Sequence, residues 1–125
     1  MKNMTSGKTI GKLGEEAAKQ YLEDMGYKII EINYRDSLGE IDLIGFDNNV
    51  LAFIEVKTRR STRYGTPREA VDEIKQRKLT RVARSYLARN RILYKQIRFD
   101  VVEVIAQSSE VRQIRLIKDA FEAVT

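Results

Sequence analysis

The stretch GEIDLIGFDNNVLAFIEVKTR, from Gly39 to Arg59, consists of two apolar runs joined by Asp47-Asn48-Asn49. Turn-forming residues between two runs rich in β-branched and aromatic side chains predict a β-hairpin. Each run contains an acidic residue, Asp42 in the first and Glu55 in the second. Because a strand buries a carboxylate only at a cost in free energy, these two positions need a compensating partner.

A two-residue loop at Asn48-Asn49 is the commonest hairpin connection, and it sets the register of the two predicted strands. In this register Asp42 lies opposite Glu55, and Glu40 lies opposite Lys57. A three-residue loop would place Asp42 on the other face from Glu55, unless a β-bulge restored the alignment. The acidic pair is therefore a prediction that depends on the shortest loop.

The same register predicts that the two faces of the hairpin differ. One face is apolar, since Ile41 meets Val56 and Leu43 meets Ile54. The second face gathers four charged side chains: Glu40, Asp42, Glu55 and Lys57. The first and last of these form an ordinary cross-strand ion pair, whereas two opposed acids require a different explanation.

Opposed side chains in a hairpin lie about 5 Å apart at Cβ, where like charges destabilise the sheet. At an effective dielectric constant near 20, two unit charges at this distance repel by roughly 3 kcal/mol. Either one carboxyl group keeps its proton or a cation lies between the two. Two carboxylates, a backbone carbonyl and waters suit Mg²⁺ or Mn²⁺, so we predict a divalent metal site. A solvent-facing strand of mixed charge is the alternative.

Lys57 lies on the same predicted face as the two acids. Its ammonium group could orient an attacking water or stabilise charge that develops on phosphorus. The chain contains neither cysteine nor histidine. This composition excludes disulfides, a thiolate nucleophile, a typical structural zinc site and a histidine general base. Any catalysis must therefore use carboxylates, lysine, tyrosine, hydroxyl groups or a hard metal ion.

The overall composition predicts one compact domain spanning residues 1–125, since 42% of the 125 residues are hydrophobic. No apolar run approaches the ~18 residues needed for a membrane span. The N-terminal segment MKNMTSGKTIGKLG lacks the apolar core of a signal peptide. We therefore expect a soluble protein of the cytoplasm that does not bind a membrane.

Charge is distributed unevenly along the chain. Residues 57–98 contain 14 Lys and Arg against 3 Asp and Glu, whereas residues 1–56 contain 6 against 10. Such a concentrated basic block favours a polyanionic partner, which we expect to be nucleic acid. The alternative is a helix with a solvated, basic outer face.

The periodicity of the sequence predicts the order α-β-β-β-α-β-β, a mixed sheet covered by helices. Apolar residues at helical spacing from Ile10 to Met25 predict the first helix, with Gly26 as its end. Strands are expected at 27–35, 39–46, 50–58, 96–106 and 111–117, followed by a short C-terminal helix. The second long helix is expected to begin at Thr66, with Glu69 closing a capping box. Its apolar stripe comprises Val71, Ile74, Leu79, Val82, Tyr86 and Leu87, and its remaining surface carries Lys75, Arg77, Lys78, Arg81 and Arg84.

The pattern D-x12-E-V-K formed by Asp42, Glu55 and Lys57 resembles the PD-(D/E)xK nuclease superfamily, which has the restriction-endonuclease-like α/β core. Nearly the whole chain resembles the YraN-like family of small bacterial proteins. The matching stretches are GKLGEEAAKQYLEDMGY, NYR, GEIDLI, FIEVKTR, YGTPREAV and RFDVV, between residues 11 and 102. Ile41 occupies the position of the usual proline before the aspartate.

The resemblance implies that Asp42 and Glu55 are metal ligands, that Lys57 is the catalytic lysine and that the cofactor is Mg²⁺ or Mn²⁺. Archaeal Holliday-junction resolvases also use a glutamate of the first helix, and the corresponding catalytic candidate here is Glu15. Periodicity favours Glu15 over Glu16, because Glu15 borders the apolar stripe. A surface acid favoured by the helix dipole is the alternative for Glu15.

The resemblance further implies a Mg²⁺-dependent endonuclease that cleaves DNA of unusual structure, such as junctions or flaps, and that often acts as a dimer. Five basic residues are expected to bind nucleic acid: Arg59, Arg60, Arg63, Lys75 and Lys78. A plain surface position is the alternative for Lys75. A nucleic-acid-binding module without turnover is the rival function, and RNA is the alternative substrate. Tyr64 could stack on a base or pack in its loop, and Arg98 with Asp100 is expected to be a structural ion pair.

Overall fold

The fold is taken from a computed structural model, which describes residues 9–61 and 71–124. Its elements follow the order predicted from the sequence, and the expected mixed α/β architecture is confirmed. In chain order these elements are α1 (Ile10–Asp24), β1 (Lys28–Asp36), β2 (Gly39–Asp47), β3 (Val50–Arg59), α2 (Glu73–Arg89), β4 (Gln96–Gln107) and β5 (Glu110–Phe121).

The five strands form one sheet in the order β1-β2-β3-β4-β5. All neighbouring pairs are antiparallel except β3 and β4, which are parallel. A parallel pair needs a crossover connection, and α2 lies in the connection between these two strands. Because β3 is third of the five strands in this order, it is the central strand, and the acidic hairpin brings β2 next to it.

The sheet has a hydrophobic cluster on each face, so the molecule has three layers. Leu51 and Phe53 of β3 pack in the cluster that contains Leu79, Val82, Ala83 and Tyr86 of α2. Ala52 and Ile54 pack in the cluster that contains Ala18 and Leu22 of α1. The alternation of side chains along β3 thus sends successive residues to opposite helices, and this explains its almost continuous apolar sequence.

The first helix agrees with the sequence prediction. Thr9 is its N-cap, and the Thr9 hydroxyl accepts a hydrogen bond from the Lys12 N–H at 3.1 Å. Gly26 follows the helix with a φ of 102°, a conformation that glycine adopts without a steric penalty. None of the helices in residues 9–61 and 71–124 is long and apolar enough to cross a lipid bilayer.

Two predicted boundaries are wrong. Asp72, not Thr66, caps α2: its carboxylate accepts the Lys75 N–H at 2.9 Å, and its extended backbone (ψ 175°) interrupts the helical run that was expected. The Thr66–Glu69 capping box itself lies outside the described residues. Ile74 is 69% exposed and does not belong to the apolar stripe. At the other end of the chain, β5 continues to Phe121 in place of a helix, because Phe121 stacks on Phe99 at 4.9 Å.

The predicted ion pair between Arg98 and Asp100 is confirmed as part of a buried network. The Arg98 Nε donates to Asp100 at 2.8 Å, and the Tyr27 hydroxyl donates to the same carboxylate at 2.8 Å. Arg98 also donates to Asp47 at 2.9 Å, and Lys118 donates to the same Asp47 oxygen at 2.9 Å. These bonds tie the tip of the acidic hairpin to β4 and β5.

Candidate active site

The acidic hairpin has the register that the two-residue loop predicts. Leu43 pairs with Ile54 and Asp47 pairs with Val50, while Asn48 adopts the positive φ (56°) that such loops require. Continued by one residue beyond Leu43 and Ile54, this register places Asp42 opposite Glu55. The paired ladder itself ends at Leu43 and Ile54.

Asp42 contacts β3 through its side chain. Its Oδ2 accepts a hydrogen bond from the Val56 N–H at 2.8 Å. The alternation of β2 is also broken here, since Ile41 packs in the α2-side cluster and Leu43 in the α1-side cluster. The predicted wholly apolar face of the hairpin is therefore wrong. The break brings the Asp42 carboxylate between the two strands.

The carboxyl groups of Asp42 and Glu55 lie close enough for each to shift the pKa of the other. Glu55 is only 6% exposed. Burial and the neighbouring Asp42 charge raise the pKa of Glu55 to about 7, and burial also raises the pKa of Asp42. The pair therefore retains a proton at a pH where isolated carboxyl groups are ionised, as the opposed register predicted.

Two lysines approach the same oxygen of Glu55. The Nζ of Lys57 lies 3.6 Å and the Nζ of Lys75 lies 3.5 Å from Glu55 Oε2. Lys57 is two residues further along β3, whereas Lys75 comes from the first turn of α2. The predicted ion pair between Glu40 and Lys57 is absent from the described residues, because Arg35 lies directly opposite Glu40 and pairs with it at 3.2 Å.

Helix α1 brings Glu15 to this site. Its neighbour Gly14 lies against Thr58 of β3, and a Cβ at position 14 would overlap the Thr58 hydroxyl. Glu15 is half-buried, whereas Glu16 is exposed, in agreement with the periodicity. Burial, and then the Asp42 charge, raise the pKa of Glu15. The glycine therefore allows the close helix–sheet approach that places Glu15 near Asp42.

Asn33 is a residue of this site that the sequence interpretation missed. It lies in β1 between the register pairs Ile32–Leu43 and Tyr34–Ile41, and so opposite Asp42. Its side chain lowers the pKa of Glu15, against the effect of burial. Two signals in the sequence could have found it: a short polar residue inside a predicted strand, and its place in the stretch NYR that carries the family resemblance.

The donor chemistry of the site fits a hard divalent cation. Two carboxylate groups face each other, and oxygen ligands of this kind are those that Mg²⁺ and Mn²⁺ prefer. No group of three or more acidic side chains in the described ranges is close enough to hold a metal ion alone. Mg²⁺ usually retains several waters and takes only one or two carboxylates, so this pair is a sufficient protein contribution.

The residues predicted to bind nucleic acid differ in how far their side chains are exposed. Arg59 is 14% exposed, and its Nε lies 3.3 Å from the buried carboxylate of Glu103, so its guanidinium points into the molecule. Arg60 and Lys78 are exposed, and Lys75 lies at the acidic pair. Arg63 is outside the described residues, as is Tyr64. The expected surface role thus fits Arg60 and Lys78 better than it fits Arg59.

The two helices differ in charge. Helix α2 contains six Lys or Arg and one Glu, whereas α1 contains two Lys and four Asp or Glu. Four basic side chains form an exposed row on α2: Arg77, Lys78, Arg81 and Arg84. The positive surface is therefore on the α2 side of the sheet, the side from which Lys75 reaches Glu55.

Comparison with known proteins identifies the family. A family model described as "Uncharacterised protein family UPF0102" matches residues 14–104. The UPF0102 protein of Alkaliphilus metalliredigens is 50% identical over 114 residues, which cover 91% of this chain and 98% of that protein. The UPF0102 protein of Symbiobacterium thermophilum is 52% identical over 114 residues, covering 91% and 97%. UPF0102 is the YraN family that the sequence stretches resemble, so that prediction is confirmed, and the chain belongs to UPF0102.

Proposed function

We propose that this protein is a metal-dependent endonuclease that hydrolyses phosphodiester bonds in DNA, with Asp42 and Glu55 as the ligands of Mg²⁺ or Mn²⁺. One observation carries the proposal. The carboxyl groups of the buried Glu55 and the half-buried Asp42 face each other, and burial with the Asp42 charge raises the pKa of Glu55 to about 7. A merely structural site gains nothing from this arrangement, since like charges at such a distance destabilise a sheet.

A bound divalent cation supplies Lewis acidity to a water and to a phosphate oxygen, and it neutralises the two carboxylates. Hydrolysis forms a bond from a water oxygen to phosphorus and breaks the bond from phosphorus to the leaving oxygen. Lys57 and Lys75 place two ammonium groups beside the acids, where they can stabilise charge on the phosphate or donate a proton to the leaving oxygen. Glu15 lies near Asp42, where it can orient a water.

The charged surface supports nucleic acid as the substrate. From Arg77 to Arg84 the exposed basic row on α2 extends about 10 Å along the helix, enough to meet more than one phosphate. Contacts of this kind hold the backbone without reading sequence. Substrate therefore approaches from the α2 side, past Lys78, and its phosphate meets Lys75 first. DNA with junctions or flaps is the preferred form, and this choice, like a dimer, rests on the family resemblance alone.

The rival function is a nucleic-acid-binding module without turnover. The basic row of α2 supports binding in either case, so it does not distinguish the two functions. The facing acids favour the enzyme, because they oppose binding of a polyanion unless a cation accompanies it. Binding that weakens steeply with salt and needs no divalent metal would favour the module.

The test compares cleavage of a four-way junction, a flap and a linear duplex in Mg²⁺, in Mn²⁺ and in EDTA. Asp42→Asn should abolish cutting, while Asp24→Asn, an exposed acid at the end of α1, is the matched control and should cut normally. Metal-dependent cutting that survives Asp42→Asn would refute the assigned ligand. Failure of the wild type on all three substrates, together with salt-sensitive binding, would leave the module as the function. An RNA junction included in the series identifies RNA as the substrate if it alone is cleaved.

A further inference from the structure

Glu103 is a buried acid that the candidate active site does not use. It lies in β4 and is 0% exposed, yet neither of its carboxylate oxygens accepts a hydrogen bond from the described residues 9–61 and 71–124. Buried polar groups in folded proteins almost always have such a partner, because burial without one is costly. The position of Glu103 therefore needs an explanation other than packing.

Two arginine side chains lie beside Glu103. The Nε of Arg59 in β3 is 3.3 Å from Glu103 Oε2, and an Nη of Arg115 in β5 is 3.8 Å from Glu103 Oε1. At 3.8 Å the Arg115 guanidinium is attracted by the carboxylate charge but is not hydrogen-bonded to it. The side chain of Arg115 is also 43% exposed, so its N–H donors can meet a partner from outside the molecule.

Glu103 lies on the same face of the sheet as Glu55, the face that α2 covers. Val101 packs in the α2-side cluster and Val102 in the α1-side cluster, so the alternation of β4 places Glu103 on the α2 side. In the parallel β3–β4 ladder Glu103 is the partner of Lys57, whose Nζ lies 3.6 Å from Glu55. The buried acid is therefore one strand away from the lysine of the acidic pair.

Arg115 and α2 lie on opposite sides of the acidic pair. Helix α2 starts near Glu55, which Lys75 reaches, and it ends over β1, where the rings of Tyr86 and Tyr34 are 4.9 Å apart. Arg115 lies in β5, two strands from β3 in the opposite direction. Because neighbouring strands are about 4.8 Å apart, Arg115 is about 10 Å across the sheet from the strand of Glu55. Exposed basic side chains therefore flank the acidic pair on both sides.

We propose that Arg115 binds a backbone phosphate of the nucleic acid on the β5 side of the acidic pair, and that Glu103 is the positioning residue that holds the Arg115 guanidinium over the sheet. This inference rests on the proposed function and extends it, since the substrate then crosses the sheet from the basic row of α2, past Lys75, to β5. An arginine fork suits a phosphate, which it binds through two parallel N–H donors. The Glu103 carboxylate does not exclude the phosphate, because the basic side chains of Lys57, Arg59 and Arg115 lie around it.

The first test compares Arg115→Gln with Arg112→Gln as the matched control. Both arginines are exposed in β5, but Arg112 pairs with the exposed Glu110 at 3.2 Å, whereas Arg115 lies against the buried acid. Filter binding of the junction, the flap and the linear duplex is measured against salt, with Asp42→Asn in every protein so that the DNA is not cut. Arg115→Gln should lower the salt slope of binding by about 1, so that its loss of affinity shrinks about threefold between roughly 50 and 200 mM salt. Arg112→Gln should leave the slope unchanged.

The path across the sheet is tested by combining Arg115→Gln with Lys78→Gln, a change in the exposed row of α2. Because the two residues lie on opposite sides of the acidic pair, they meet different phosphates, and their losses in binding should add. The double variant should therefore lower the salt slope by about 2. A double variant that binds no more weakly than Lys78→Gln alone would show that β5 lies outside the path.

Glu103→Gln separates positioning from simple charge. Removal of a negative charge beside the path should by itself tighten the binding of a polyanion. If Glu103 positions Arg115, binding should weaken instead, and Glu103→Gln should cause no further weakening in a protein that already carries Arg115→Gln. Binding is measured below the Tm of each variant, so that a loss of stability at this buried position does not affect the comparison. Unchanged or tighter binding by Glu103→Gln would overturn the positioning role.

The outcomes distinguish this inference from the proposed function. Equal salt slopes for Arg115→Gln and Arg112→Gln would overturn the inference while metal-dependent cleavage stood. An effect of Arg115→Gln in a protein that binds nucleic acid but never cuts it would support the path and leave the binding module as the function. A wild type that neither binds nor cuts nucleic acid would overturn both.

Discussion

Two acidic sites of this protein, the Asp100 network and the Asp42–Glu55 pair, are buried in different ways. Asp100 is completely buried and receives hydrogen bonds from Arg98, from the Tyr27 hydroxyl and from the Asp119 N–H, at 2.8–3.0 Å. Asp42 receives one backbone N–H and otherwise faces Glu55. The lysines near Glu55 are 3.5 and 3.6 Å away and share one oxygen.

This difference separates a structural acid from a candidate ligand. A carboxylate whose lone pairs are all used by fixed donors has no capacity for another partner, and it ties its strands together. A pair of facing carboxyl groups that retains a proton because few donors reach it can exchange that proton for a cation. Burial alone does not distinguish the two sites, whereas the number of donors does.

The largest expected effect is on stability and belongs to Asp100. Asp100→Asn removes the charge opposite Arg98 and should lower the free energy of unfolding by about 3–5 kcal/mol, as happens when one partner of a buried ion pair is lost. Urea unfolding at pH 7 measures this. An unchanged free energy of unfolding would show that the Asp100 network stabilises the protein no more than a surface ion pair does. The proposed difference between Asp100 and the Asp42–Glu55 pair would then be wrong.

The ionised carboxylate of Glu55 is expected to destabilise the folded protein, whereas that of Asp100 stabilises it. In EDTA, the folded protein holds a proton on Glu55 up to pH about 7, whereas the unfolded chain releases it near the ordinary glutamate pKa of 4.5. Between these values the folded state binds more protons, so stability should fall as pH rises from about 4.5 to about 7, by up to about 1.4 kcal/mol for each pKa unit. The slope of unfolding free energy against pH measures this.

Glu55→Gln should remove this slope and leave the protein at least as stable as the wild type at pH 8. Glu122→Gln, an exposed acid near the C-terminus, is the control and should keep the slope. Equal slopes in wild type, Glu55→Gln and Glu122→Gln would contradict the shared proton at the acidic pair.

A divalent metal ion should bind at the Asp42–Glu55 pair and not at the Asp100 network. Mg²⁺ or Mn²⁺ at 100 times its dissociation constant should stabilise the wild type by about 2.7 kcal/mol, and chelation should reverse the effect. The rise in Tm should disappear in Asp42→Asn and persist in Asp100→Asn, whose lower starting Tm does not involve the ligands. A rise that persists in Asp42→Asn would show that the ion binds elsewhere.

The smallest effects distinguish the two lysines of α2. Lys78→Gln should weaken DNA binding by about 1 kcal/mol or less and reduce the salt slope of binding by about 1, with kcat unchanged. Lys75→Gln should lower kcat more than it weakens binding, because its Nζ lies 3.5 Å from Glu55. Filter binding against salt and single-turnover cleavage measure both. Equal effects of the two substitutions on binding and on kcat would show that Lys75 is a plain surface lysine.

Local features of the sequence predicted much of the fold and part of the site. The hairpin register followed from the Asn48-Asn49 loop, because a loop of given length admits few backbone conformations. The first helix followed from apolar periodicity and Gly26, and the choice of Glu15 over Glu16 followed from the same periodicity. The start of α2 was predicted wrongly, because Asp72 can cap a helix as well as Thr66 can. No local feature of the sequence favours one of these two N-caps over the other.

By itself, then, the sequence determined the order of the elements, the opposed acids of the hairpin and the basic character of α2. All of these depend on neighbours along the chain, where spacing alone decides geometry. Only the tertiary structure decided that Lys75 reaches Glu55 and that Arg59 turns inward to Glu103. These contacts join residues from different elements, and the packing of the two helices on the sheet determines which of them meet.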